Sequence, residues 1–269
     1  MIIGVSLYLV KDLPLGEALA AVAEAGFTQV ELPSEGLARL WESDPAVIRE
    51  RLASLGLVAR TAHSPGAGWD NDAPDDAVRR ASVDAASSIF AAAAAMGVEA
   101  VVVHPNSPGT NAFAQGDWSA NFERAKESIR ILADRAAQSG LKLAVENMPR
   151  RGLPRPGGRV EETLDLIDGL GPHVGVCIDT GHANANAIAP ADEIRKAAGR
   201  IFAVHLQDTD GKGEDQHLEP GAGTIDWPAT LAALRQYAPD APINFEIPSR
   251  GGERPTLARL AETRRGFGA

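Results

Sequence analysis

The chain has 269 residues, 44% hydrophobic and 23% charged, which is enough apolar matter for one large α/β core or two small ones. Thirty-six Asp and Glu outweigh 26 Lys and Arg, and the resulting net charge of −10 argues against a broad surface for nucleic-acid backbones. The one cysteine, Cys177, rules out an internal disulfide and suits a reducing, cytoplasmic setting, and no run reads as a signal peptide or membrane span.

An apolar run followed by an amphipathic stretch recurs eight times along the chain. Ile2–Leu9 leads to a helix over Leu15–Ala25, closed by Gly26. Thr28–Leu32 leads to Pro45–Ser54, with Asp44 as N-cap and Pro45 at the first helical position. Val58–His63 precedes one long alanine-rich helix from about Asp75 to Met96, closed by Gly97. Ala100–His104 runs into a Pro/Gly loop, Pro105 to Gly116, long enough to be a lid, and then a helix over Trp118–Ser139 capped by Asp117. Lys142–Asn147 leads to Val160–Leu170, Val174–Asp179 to Ala191–Ala198, Ile201–Leu206 to Pro228–Tyr237, and Ile243–Ile247 to Pro255–Arg265. Strands alternating with helices imply parallel pairing through crossovers, and eight units are what a single (β/α)8 TIM barrel needs. An open doubly wound sheet would carry a glycine-rich turn after its first strand, whereas SLYLVKDLP has no glycine.

The strand ends carry the chemistry. Strand three ends in His63, strand four in His104, strand five in Glu146 and strand six in Asp179, with His182 three residues on; strand seven carries His205 and strand eight Glu246. Five of the six histidines fall at strand ends or in the loops after them, the exception being His173, expected on the opposite rim. Buried carboxylates converging on one barrel mouth repel unless a cation lies among them, so the pattern implies a divalent metal. Glu146, Asp179, His205 and Glu246 make a mostly oxygen site with one nitrogen, suited to Mn²⁺, Mg²⁺, Co²⁺ or Zn²⁺; no organic cofactor is expected. His63, His104, His182, Asp215 and His217 are further candidates to hold metal or substrate. Arg150 and Arg151 are candidates to clamp an anion, Trp69 and Trp41 to stack on a sugar face; Trp227 and Cys177 are expected to be structural.

The segments TAHSPG, VVHPNS, AVENMP, CIDTGHA, AVHLQD, DQHLEPGAGTIDW and FEIP, in strand order across the whole chain, resemble the xylose isomerase-like barrel superfamily. Two of its branches make different claims. The resemblance to ketose epimerases implies one divalent metal on Glu146, Asp179, His205 and Glu246, with the two glutamates as acid and base across a small carbohydrate. The resemblance to endonuclease IV implies three zincs held by His63, His104, Glu146, Asp179, His182, His205, Asp215, His217 and Glu246. Departures such as ENMPRRG after strand five and HSPGAG after strand three favour the carbohydrate over DNA. The expected chemistry is an isomerase or epimerase that transfers a proton beside a carbonyl through a metal-stabilised enediolate, with His182 on a substrate hydroxyl. A keto-sugar lyase or dehydratase, or a barrel that only binds metal or sugar, are the remaining alternatives. Self-association through loops at the mouth is a further expectation for such barrels.

Overall fold

The computed structural model describes residues 1–37, 40–106, 118–151 and 155–269. Its strands are β1 (Ile3–Ser6), β2 (Gln29–Leu32), β3 (Val58–His63), β4 (Ala100–Val103), β5 (Lys142–Glu146), β6 (Val174–Asp179), β7 (Ile201–Leu206) and β8 (Ile243–Phe245). They pair in parallel in that order, and β8 returns to β1 through the Ile3–Ile243 and Val5–Phe245 registers, so the sheet closes into a barrel without an edge.

Side chains alternate across each strand, and this barrel uses the two faces differently. Val101, Val103, Leu143, Val145, Val176 and Ile178 face outward into the buried shell between sheet and helices. Each such side chain removed from water contributes roughly 1.5–3 kcal/mol. The alternate positions face the barrel axis and form a floor in two halves. One half is apolar and small: Val102, Ala144, Cys177 and Ala203 make a cluster separate from the main core. The other is a polar relay in which Gln29 Nε2 donates to Asn244 Oδ1 at 3.1 Å and Asn244 Nδ2 to Thr61 Oγ1 at 3.0 Å. Gly4 is needed here, because a Cβ would lie 2.4 Å from the Gln29 carbonyl oxygen and 2.5 Å from Asn244 Oδ1. Two residues beyond each floor position, the same face turns polar. Thr61 is followed by His63, Val102 by His104, Ala144 by Glu146, Cys177 by Asp179, Ala203 by His205 and Asn244 by Glu246.

The helix Pro45–Ser54 starts as its sequence dictates, with Asp44 Oδ1 accepting from the Ala46 amide at 2.9 Å and proline in the first turn. The alanine-rich segment departs from expectation by dividing into Asp76–Ser87 and Phe90–Met96. At the break, Ser87 and Ser88 hydroxyls bond back to the carbonyls of Val83 and Ala85, and Gly68 lies so close that its Cβ would meet Ala86 at 2.6 Å. A short helix, Thr180–Ala185, was not expected at all. The helices Trp118–Gln138, Val160–Leu166, Pro190–Lys196, Trp227–Tyr237 and Glu253–Gly266 lie within a few residues of their predicted spans, as do the strand ends. Strand β1 is the shortened one, because Leu7–Val10 turns into a 3-10 segment. Asp117 and nearly all of the Pro105–Gly116 loop lie outside the described residues. Among the described residues, no helix is long and apolar enough to cross a membrane.

Candidate metal centre

Glu146, fully buried at the end of β5, is the hub. Its Oε1 lies 3.0 Å from His205 Nδ1, and the same nitrogen is 3.3 Å from Glu246 Oε2. Its Oε2 faces His104 Nε2 at 2.9 Å and His63 Nε2 at 3.4 Å, yet makes no hydrogen bond of acceptable geometry. A buried carboxylate oxygen without a hydrogen bond among imidazole nitrogens is a place where a cation would fit. Donor atoms of Glu146, Asp179, His205 and Glu246 lie within 4.8 Å of one another. Donors about 2.0–2.2 Å from one ion would draw in to about 4.4 Å or less. Oxygen and imidazole donors of this mix fit a divalent cation.

Two further groups flank this one. His63, His104 and Glu146 form the first, and His182, Asp215 and His217 the second. The rings of three histidines are oriented alike, each placing Nδ1 on a backbone carbonyl: His63 on Ser64 at 3.1 Å, His182 on Asn147 at 2.8 Å and His217 on Glu246 at 2.9 Å. A carbonyl accepts only, so Nδ1 carries the hydrogen and Nε2 is the atom turned toward the carboxylates. Both His182 Nε2 and His217 Nε2 stand 3.3 Å from Asp215. His182 gets its place from local structure: Asp179 Oδ1 caps the helix Thr180–Ala185 by accepting from the His182 amide at 2.7 Å.

Glu146, Glu246 and both flanking groups line a cavity of about 340 Å³ that also receives Tyr8, Glu35 and Trp69, while Asp179 and His205 are not part of its lining. The model of the family described as "Xylose isomerase-like TIM barrel" matches residues 19–266. The chain belongs to this family. A D-psicose 3-epimerase of Enterocloster bolteae is 28% identical over 228 residues, covering 80% of this chain and 70% of that protein. A probable endonuclease 4 of Mycobacterium ulcerans is 32% identical over 168 residues, covering 60% of this chain and 62% of that protein. Among solved structures, a D-tagatose 3-epimerase-like protein superposes with a TM-score of 0.82 at 23% identity, covering 99% of this chain and 97% of the other.

In this xylose isomerase-like barrel, charge follows burial and neighbours. Burial alone would raise Glu146, but His205 and the other rings hold it well below the usual carboxylate range. Burial lifts Asp179 to about 6, helped by the Glu146 charge. Burial lowers His104 to about 4, leaving a neutral ring. Against their own burial, His182 is raised to about 10, chiefly by Asp179 and Asp215, and His217 to about 9, chiefly by Asp215. Without a cation, therefore, these two rings are imidazolium ions astride Asp215, and metal at this group must displace their protons.

The remaining candidates separate. Arg151 lines the cavity with a nitrogen 3.5 Å from Asp215, whereas Arg150 is turned away into a pair with Glu162 and is not a cavity residue. Trp69 stacks on His104 with ring centres 4.2 Å apart, so one of its faces is already covered. Trp41 donates to the Pro33 carbonyl at 3.2 Å and lies outside the cavity lining. Cys177 is buried beneath the centre, and that burial pushes its thiol up, away from reactivity. Trp227 donates to Asp208, and half-buried His173 approaches the Ala133 carbonyl. Two contributors were not read from sequence. Gln207 Nε2 bridges Asp179 at 3.2 Å and Asp215 at 2.9 Å, and Glu31 meets His205 Nε2 at 3.0 Å. The signal for Glu31 was present: it stands two residues beyond floor residue Gln29, as the other strand-end groups stand beyond theirs.

Proposed function

We propose that this barrel is a divalent-metal-dependent isomerase or epimerase of a small ketose or keto-sugar, phosphorylated or not. The observation that carries the reading is a pair of cavity-lining carboxylates, Glu146 and Glu246, that both approach one imidazole nitrogen of His205, at 3.0 and 3.3 Å. At about 340 Å³ the cavity is at the small end of the range for ligand sites, about 300–1,000 Å³, which suits a monosaccharide better than a duplex. A cation held by Glu146, Asp179, His205 and Glu246 would supply Lewis-acid polarisation of a substrate carbonyl. The side chains then have distinct tasks. Glu246, whose side chain keeps 13% of its surface exposed, is the carboxylate that reaches a carbon-bound proton from the cavity side. Glu146, enclosed by four imidazoles, is the second carboxylate: it would relay a proton drawn from those rings to the other face or to the neighbouring carbon, while Glu246 keeps the proton it removed. His182 is positioned to bond a substrate hydroxyl, and Arg151 to meet any anionic end of the substrate.

Support at the level of relatives comes from the D-psicose 3-epimerase likeness. A second reading, a multinuclear phosphodiesterase, is favoured by one specific observation: the two flanking groups each present Nε2 atoms and a carboxylate at hydrogen-bonding to ligand spacing. The test joins two measurements on the purified protein, metal content by mass spectrometry and a ketose panel in D2O followed by NMR. One essential metal with deuterium entering beside the carbonyl is expected. Glu246→Gln should cut that exchange by about 10²–10⁴-fold in protein reloaded with metal, which Glu146, Asp179 and His205 would still hold at lower affinity. Three metals per chain with cleavage of a phosphodiester and no exchange in any ketose would transfer the assignment to the second reading.

A further inference from the structure

We infer that Glu31 is the positioning residue of the metal centre: it holds His205 by its far nitrogen and presents Nδ1 to the cation. The inference uses the metal half of the proposed function and is independent of the sugar chemistry.

Four observations converge on it. Glu31 is fully buried, and its Oε2 lies 3.0 Å from His205 Nε2. It belongs to none of the groups that bring ligand atoms together, so among the described residues it is a carboxylate beside the centre without a place in it. His205 is oriented differently from its neighbours: His63, His182 and His217 each rest Nδ1 on a neutral carbonyl and turn Nε2 inward, whereas His205 turns Nδ1 toward Glu146 and Glu246 and rests Nε2 on a full charge. Finally, the register between β2 and β3 shifts between Val30 and Glu31, which sets Glu31 against Thr61, and Thr61 is held by Asn244 in the floor relay. The skipped residue is Arg60 of β3, so Glu31 stands level with Thr61 and is tied to that rigid support.

The energetic argument concerns why a charge is kept there. Glu31 Oε1 has no hydrogen-bond partner, so this fully buried carboxylate rests chiefly on His205, with Thr61 and the His63 ring beside it, an arrangement that costs folding free energy. A neutral acceptor would hold the ring just as well against simple rotation. A charge does more: it fixes the proton on Nε2 and raises the electron-donating power of Nδ1 toward a cation, as carboxylates behind metal-bound imidazoles do.

The test uses the intact chain, stripped of metal and reloaded with Mn²⁺ or Co²⁺, with affinity read by competition against a chromophoric chelator. Glu31→Gln keeps the size and an acceptor for Nε2–H but removes the charge. It is expected to bind about 10–100-fold more weakly, with the thermal midpoint of the metal-free protein unchanged or higher. The Co²⁺ visible spectrum should shift, reporting a changed ligand field. In a His205→Gln background, adding Glu31→Gln should cause no further loss, because the effect runs through that ring. Equal affinity of Glu31→Gln and wild type would overturn the inference and leave the metal reading standing. So would a lower metal-free midpoint with affinity retained, since that marks a structural ion pair. A wild-type chain that binds no divalent ion would overturn both. Glu31→Leu serves as the harsher variant, and Glu31→Gln keeps the question answerable if Glu31→Leu does not fold.

Discussion

Asp72 shows how one side chain outside the mouth sets the stability profile. It is buried behind the β3 loop, where Asn121 donates to its Oδ2 at 3.0 Å and its Oδ1 is left without a partner. Burial raises its carboxyl from 3.8 to about 6, so the folded chain holds this proton more tightly than the unfolded one. The associated stability is complete below about pH 4 and is lost as pH rises through about 6, a cost of up to about 3 kcal/mol at neutrality. Asp72→Asn should therefore be more stable than wild type at pH 7.5 and no more stable at pH 4. Urea titrations at the two pH values check this, and a gap that failed to widen with pH would contradict it. Glu146 teaches the opposite lesson for mutagenesis. Because it faces His63, His104, His182 and His205, its replacement would disturb four rings at once, whereas the Glu246 carboxylate meets His205 and His217, which makes Glu246 the cleaner probe of the proposed proton transfer.

At the scale of elements, the loop between β7 and the helix Trp227–Tyr237 is built on Asp208. Its carboxylate accepts from the amides of Thr209, Gly221 and Ile225 and from Trp227 Nε1, and its backbone pairs with Leu218. Asp208→Ala strands several buried donors and should cost about 2–5 kcal/mol. It should also lower metal uptake at His182, Asp215 and His217 while sparing the Glu146, Asp179, His205 and Glu246 group. Calorimetric melting and metal stoichiometry check the two halves of this prediction. The strands were legible because their outward faces read as Val, Ile and Leu runs, and Asp44 with Pro45 announced a helix start. The break after Ser87 was not legible, since the run AAAAAM lies beyond it and the break coincides with tertiary features, the Ser87 and Ser88 hydroxyls bonding back to the chain and the close approach of Gly68 to Ala86. Nor was the helix Thr180–Ala185, whose DTGHANA text has weak helix propensity. It exists because Asp179 caps it and because Gly181 leaves room for Gln207, which a Cβ would meet at 2.3 Å. The candidate ligands could be read from strand ends. Their division into groups could not, because it depends on ring orientation set by the carbonyls of Ser64, Asn147 and Glu246.

For the whole molecule, the closed sheet gives each strand end a fixed partner around the circle, so groups as distant in sequence as Glu31 and His205 meet without any mobile segment bringing them together. The floor beneath them is filled by Val102, Ala144, Cys177 and Ala203 on one side and the Gln29–Asn244–Thr61 relay on the other. Among the described residues the floor is filled, so whatever occupies the cavity would stand between the deepest candidate ligands and bulk water. Ion and substrate should then leave in a fixed sequence, the substrate first. If the proposed function holds, saturating the metal-loaded protein with the ketose it turns over is expected to slow removal of the ion by excess chelator at least about tenfold, with first-order traces whose rate tracks sugar dissociation. Stripping at one rate with or without sugar would mean that the ion has a second way out.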